Sequence, residues 1–263
     1  MPQTELSGLR INYTDTGTGG PALLLMPAWC MSHKGFDTLP TLCAANRRVL
    51  SLDWRGHGES EKPENDFGAM DLVSDAMAVI EASGAEQVIP VTMSHSGWVG
   101  VELRRRLGDR IPKLIHTDWI VLPPPPPYMD LVHLLASEQG WQTARDTLFS
   151  IWLEGVNNPA LTHFVRDEMG SYDAAMWMRS GREIGDCYVQ GGYPLKALAE
   201  LVPPVPTLHI YSQPPEPEYL GAQQDFASHN PWYHVHKLTA HSHFPTFEVA
   251  PEIAQQIETF ASA

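Results

Sequence analysis

The chain is poor in three things. It has only three cysteines in 263 residues, Cys30, Cys43 and Cys187, far apart and without a Cys-x-x-Cys pair, so neither a disulfide framework nor a structural zinc site is indicated. It is short of positive charge: 17 Lys and Arg stand against 31 Asp and Glu, a formal net charge of −14. That balance argues against a nucleic-acid or membrane-surface partner, because both require a positive face. It has no apolar run near the ~20 residues of a membrane span, and Met1 to Leu9 lacks the basic-then-apolar pattern of a signal peptide. There is no internal repeat. The expectation is a soluble, cytoplasmic globular protein of one domain, or of a core carrying an insertion.

Proline is abundant, and five consecutive prolines, Pro123 to Pro127, divide the chain. Before them, apolar runs bounded by turn residues predict strands at Gly8 to Tyr13, Pro21 to Met26, Arg48 to Asp53, Gln87 to Thr92 and Lys113 to His116. Helical spacing predicts helices over Asp71 to Ser83 and Gly97 to Leu107. A further strand is predicted at Val205 to Tyr211 and a closing amphipathic helix at Pro251 to Ala263. Strands of buried composition alternating with helices predict an α/β fold with a mostly parallel sheet covered on both faces. Residues 123–193 break the rhythm with helix formers and aromatics (Trp141, Phe149, Trp152, Phe164, Trp177) and predict a helical cap inserted into a core of residues 1–122 and 194–263.

The chemistry concentrates after the predicted strand at Gln87 to Thr92. Thr92-Met93-Ser94-His95-Ser96 has small residues on either side of Ser94, as a sharp strand-to-helix nucleophile elbow needs, with Thr-x-Ser-x-Ser replacing Gly-x-Ser-x-Gly. The alternative is an ordinary connection in which the serine merely caps a helix. Asp53-Trp54-Arg55-Gly56-His57-Gly58-Glu59-Ser60 resembles the Asp-x-Arg-Gly-x-Gly-x-Ser loop of α/β-hydrolase-fold proteins, where it is expected to be a structural glycine turn. Met26-Pro27-Ala28-Trp29-Cys30 stands where that fold places its first oxyanion-hole loop.

Of twelve histidines, His243 lies in the late loop before the final helix, where this fold presents its base, with His241 the competitor. His163, His229, His234 and His236 are expected to be solvated, His57 to belong to the glycine turn, and His116 and His209 to be satisfied core residues. The orienting acid is open at this point between Glu216 or Glu218, after the strand ending at Tyr211, and Asp118, after the strand ending at His116.

Further blocks narrow the resemblance: Trp29-Cys30, Ser94-His95, Asp118-Trp119, Trp152-Leu153-Glu154-Gly155, Arg179-Ser180-Gly181-Arg182, Ser212-Gln213-Pro214, Glu216-Pro217-Glu218-Tyr219 and His243-Phe244-Pro245. Over nearly its whole length the chain resembles the cofactor-independent 3-hydroxy-4(1H)-quinolone 2,4-dioxygenases. The resemblance implies ring opening by O2 with release of carbon monoxide and an N-acylanthranilate, needing neither metal nor organic cofactor. It implies His243 as general base, Asp118 rather than Glu216 as orienting acid, and Ser94 as a substrate-positioning serine. It also implies a substrate pocket lined by Trp29, Met31, Met93, His95 and Trp152.

Met31 and Met93 stand where a ring-cleaving member of the family carries histidines. Thioethers soften a pocket and make it less polar, which favours long 2-alkyl substrates such as the Pseudomonas quinolone signal; the alternative is neutral drift of the core. Two other classes stay in view. A serine hydrolase, an esterase or carbon–carbon bond hydrolase, would use the same Ser94, His243 and Asp118. A non-catalytic receptor would bind a ligand without turnover.

Overall fold

The computed structural model describes residues 2–6 and 8–263; Met1 and Ser7 lie outside the described residues. Its strands are β1 (Gln3–Leu6), β2 (Leu9–Thr16), β3 (Ala22–Met26), β4 (Val49–Leu52), β5 (Val88–Met93), β6 (Leu114–Thr117), β7 (Thr207–Tyr211) and β8 (Tyr233–Lys237). They form one sheet in the order β1-β2-β4-β3-β5-β6-β7-β8, antiparallel at β1–β2 and β2–β4 and parallel from β4 onward. The helices are α1 (Leu39–Ala44), α2 (Ala69–Ser83), α3 (Ser96–Leu107), α4 (Pro126–Leu135), α5 (Trp141–Trp152), α6 (Pro159–His163), α7 (Ala174–Gly191), α8 (Pro194–Ala199), α9 (Pro217–His229) and α10 (Thr246–Ser262).

The central strands are apolar runs because both faces are covered: every residue of β3, β4, β5, β6 and β7 is buried. The α/β architecture follows the sequence pattern, and the sheet's direction gathers the C-terminal ends of β3, β5, β6 and β7 on one rim, where ligands of such sheets bind. Between β6 and β7 the chain leaves the sheet and builds α4 to α7, with a π-helical turn at Phe164–Glu168. The last two residues of the proline run, Pro126 and Pro127, open α4, where a missing N–H costs nothing.

Five elements escape the sequence reading: β1, β8, α9 and the short helices α1 and α8. β1 and β8 are edge strands with mixed exposure, so neither shows a buried apolar run. α9 carries a single fully buried residue, Gln223, and therefore shows no apolar stripe. The final helix begins at Thr246 rather than Pro251: the chain is helical on both sides of a break at Val249, and Pro251 starts the longer part. Among the described residues no helix is long and apolar enough to cross a membrane.

Candidate active site

Ser94 sits at the end of β5 with φ +55°, a left-handed conformation that costs a non-glycine residue roughly 1–3 kcal/mol and must be held by its surroundings. It is held: Ser94 N–H donates to Thr117 O (2.8 Å) and Met93 N–H donates to Ser96 Oγ (2.9 Å). Ser96 Oγ–H in turn donates to Met26 O on β3 (2.8 Å). The second serine of Thr-x-Ser-x-Ser is thus a clip across the elbow. Next to it, Gly97 is required because Trp119 packs on it: a Cβ there would lie 2.3 Å from the indole. Thr92 bonds the ring of His116 (2.7 Å).

Asp118 ends β6, also in the left-handed region (φ +48°), and its carboxylate is buried. One oxygen accepts from Ser212 N–H (2.9 Å) and Ser212 Oγ–H (2.7 Å), while the other accepts from Gln213 N–H (3.0 Å). That second oxygen lies 3.5 Å from His243 Nδ1, at the long limit of a hydrogen bond but within ion-pair reach. The loop carrying His243 is anchored by Glu248, which accepts from His241 N–H (3.1 Å) and Ser242 N–H (2.8 Å). The Trp152 indole, at the end of α5, stacks on the imidazole with centroids 5.4 Å apart and planes 20° apart. Glu216 and Glu218 are exposed at the start of α9, and His241 is exposed beside His243. Among the described residues Ser94 Oγ makes no hydrogen bond, to His243 or to any other group.

The loop after β3 faces the elbow. Cys30 adopts φ +55°, its N–H donates to His57 Nε2 (3.1 Å), and Trp54 Nε1–H donates to Pro27 O (2.7 Å). The glycine turn that carries Trp54 and His57 is organised by Asp53, which accepts from His33 N–H (2.7 Å), Glu59 N–H (3.0 Å) and Asn12 Nδ2 (3.1 Å) and pairs with His33 Nδ1 (2.9 Å). Gly58 (φ +51°) leaves room for that carboxylate, since a Cβ would lie 2.3 Å from it. The turn is structural, as the sequence indicates, but it also grips the oxyanion loop. The Trp29 ring stacks on Phe67 (5.9 Å), whose other support is the Arg179 guanidinium at 4.1 Å. Trp29 N–H and His95 N–H have no hydrogen-bond partner among the described residues; His95 directly follows Ser94, and Trp29 and His95 line one small pocket.

The remaining expected pocket residues divide. His95 is half-buried, its Nε2 2.6 Å from Tyr128 Oη of α4, with Tyr128 stacked alongside and Tyr188 edge-on. Burial, then the nearby charge of His243, pushes its pKa down to about 3, so the ring is neutral. Met93 is fully buried at the end of β5, and Met31 is buried with its terminus between Gly35 and Phe164. A cavity of about 430 Å³ opens between the β3 loop, the glycine turn and residues 164–176. Cys30, Phe164 and Met176 are among its walls, but Ser94, Asp118 and His243 are not, so it adjoins the constellation rather than containing it.

His209 is a satisfied core histidine, bonded to Gln223 (2.7 Å) and accepting Trp119 N–H (3.3 Å), whereas His116, also in the core, is bonded only through Nδ1 to Thr92 and its buried Nε2 has no partner among the described residues. His163 pairs with Asp167 and His236 with Glu252, both at the surface. Among the described residues no three His, Cys, Asp or Glu side chains are placed to hold a metal ion. Sequence reasoning missed Ser212, the main donor to Asp118, the His57–Cys30 bond and the Tyr128–His95 bond. Only the first had a signal, the Ser212-Gln213-Pro214 block.

Residues 17–256 match the model of the alpha/beta hydrolase family. The chain is 33% identical to the 2-heptyl-3-hydroxy-4-quinolone dioxygenase AqdC2 of Rhodococcus erythropolis, over 98% of this chain and 97% of that one. It is 32% identical to the 1H-3-hydroxy-4-oxoquinoline 2,4-dioxygenase of Pseudomonas putida, over the full length of both. The chain belongs to the 3-hydroxy-4-quinolone dioxygenase branch of the alpha/beta hydrolases. Its fold superimposes on an AqdC variant solved in complex with its substrate, in work on recognition and ring-cleavage of the Pseudomonas quinolone signal, with a TM-score of 0.94 at 28% identity over 99% of this chain and 98% of that one. In this branch, the likeness extends through the helices between β6 and β7 as well as through the sheet.

Proposed function

We propose that the chain opens the heterocycle of 2-alkyl-3-hydroxy-4(1H)-quinolones with O2, without a metal or organic cofactor, giving an N-acylanthranilate and carbon monoxide. The observation that carries this reading is the near-full-length likeness to quinolone dioxygenases, which spans the segments that build the base and its setting. The free Ser94 Oγ agrees with it, because a serine nucleophile is activated by a hydrogen bond to its base.

His243, oriented by Asp118, takes the proton of the 3-hydroxyl. The resulting anion is electron-rich enough to give one electron to O2, which evades the spin barrier to direct reaction of triplet O2. Trp29 N–H, His95 N–H and Ser94 hold and polarise the substrate oxygens during this step. Recombination forms a C2–O bond, and the peroxide attacks C4 to form the second. The O–O, C2–C3 and C3–C4 bonds then break together, one oxygen staying on C2 as the acyl carbonyl and the other on C4 in the carboxylate; C3 departs as carbon monoxide with its original oxygen, and the proton returns from His243 to the product. Residues 123–193 act as a cap whose aromatic face, Trp152 foremost, keeps the intermediate dry. Met31, Met93 and the ring of His95 form the pocket wall, and the two methionines suit a long 2-alkyl chain.

Turnover under 18O2 tests the reading. Both labelled atoms are expected in the N-acylanthranilate and none in the carbon monoxide. Product oxygen drawn from water instead would return the chain to the hydrolases.

A further inference from the structure

The donor that the proposed reaction needs from the β3 loop is Trp29 N–H, and that loop is pinned from below. Its next N–H, that of Cys30, is committed to His57 Nε2 at 3.1 Å, while His57 Nδ1 donates to Arg55 O at 2.9 Å. The two bonds fix one tautomer: Nδ1 carries the proton and Nε2 accepts. His57 is 1% exposed, and burial pushes its pKa down to about 4, so it remains neutral and able to accept; Asp53 and Arg179 are the charges nearest to it. Its ring also lies 5.8 Å from that of Trp29 and 5.1 Å from that of Tyr172. Cys30 holds a left-handed conformation that needs such support.

We propose that His57 is a positioning residue for the substrate anion: by accepting Cys30 N–H it fixes the strained turn in the orientation that presents Trp29 N–H to the ionised 3-oxygen. The inference rests on the reaction proposed above. The other ties of the loop, Trp54 on Pro27 O and Phe67 on the Trp29 ring, hold its start and its side chain. Among the described residues only the His57 bond grips the main chain directly after the donor.

The test uses the whole protein with 2-heptyl-3-hydroxy-4(1H)-quinolone. Without O2, the absorbance of the bound quinolone reports the pH at which its 3-hydroxyl ionises. His57→Phe keeps a ring but loses the acceptor, whereas His57→Gln keeps an acceptor at a different reach. Ionisation of the bound quinolone is expected to move to higher pH in the order wild type, Gln, Phe. In air, kcat is expected to fall about tenfold in the Phe variant with little change in KM, a milder loss than the 10²–10³-fold of deleting an oxyanion donor outright. An unshifted ionisation in folded His57→Phe would overturn the proposal. In the wild type, the 15N shifts of His57 are expected to show a protonated Nδ1 and a bare Nε2 from pH 5 to 9. A protonated Nε2 overturns the proposal without any variant. A wild-type chain that binds quinolone in neither state contradicts the proposed reaction itself, before His57 is at issue.

Discussion

The Trp152 indole and the His243 imidazole lie face to face, 5.4 Å between centroids, on elements that belong to different layers of the molecule. His243 comes from the loop after β8, Trp152 from the end of α5, 55 residues before β7 begins. Phe244 meets the same indole edge-on at 5.3 Å, and Phe149 and Trp177 continue the aromatic packing behind it. The proposed base is therefore roofed by the helical layer, and its ring plane is set by stacking as well as by Asp118.

Trp152→Ala removes that roof. It is expected to lower kcat/KM for the quinolone by roughly 10–100-fold, about 1.4–2.7 kcal/mol, and to let water reach the intermediate. Trp152→Phe should recover part of the loss. Steady-state kinetics of both variants decides; unchanged kinetics in the alanine variant would remove Trp152 from the account.

Ser94, His243 and Asp118 separate the two chemistries that the constellation could serve. In a serine hydrolase, nucleophile and base act as a unit, so removing either costs nearly the whole rate. Here Ser94→Ala should lose roughly the 1–3 kcal/mol of one unmade hydrogen bond. His243→Ala should lose roughly 10²–10⁴-fold, recovered in part at high pH where hydroxide ionises the 3-hydroxyl. Asp118→Ala should fall between them. Equal collapse of the serine and histidine variants, or a covalent adduct at Ser94, would favour the hydrolase.

Met31 and Met93 bear on chain length. Catalytic efficiency is expected to rise from 2-methyl to 2-heptyl substrates, each buried CH2 contributing about 0.8 kcal/mol. Met31→His and Met93→His should flatten the series. A flat series in the wild type returns both methionines to core drift.

Acid stability follows from four histidines, of which His57, His116 and His209 are buried and His95 is half-buried. Burial lowers the pKa of His57 and His209 to about 4 and of His95 and His116 to about 3. All four bind protons on unfolding once the pH drops below the unfolded value near 6.5, so stability falls as pH falls from there toward 4. Near pH 5 the four together approach a slope of roughly 5 kcal/mol per pH unit. The His33–Asp53 pair contributes between Asp53's lowered pKa and His33's raised one, and so persists across this window. Unfolding midpoints measured from pH 7 to 4.5 check this; no loss of stability below pH 6 would contradict it.

Much of the molecule was readable from its residues, for physical reasons that also explain what was not. Strands buried on both faces announce themselves as apolar runs, so β3 to β7 and the elbow at Ser94 could be placed. The edge strand β8 is built as Tyr233-His234-Val235-His236-Lys237, whose histidines meet water and hide the strand. Residue chemistry alone left Glu216 and Asp118 both open as the acid. The structure separates them through Ser212, which buries and bonds Asp118 while Glu216 stays in solvent. Contacts such as Tyr128–His95 and His57–Cys30 join segments 33 and 27 residues apart through single polar atoms, and no local pattern encodes them.

Carbon monoxide is the product that neither an esterase, a carbon–carbon bond hydrolase nor a receptor would make. Protein treated with a chelator and then given 2-heptyl-3-hydroxy-4(1H)-quinolone in air should release one carbon monoxide for each quinolone and each O2 consumed, at an undiminished rate. Consumption of the quinolone without carbon monoxide, equal turnover under strict anaerobiosis, or loss of activity on chelation would contradict the account.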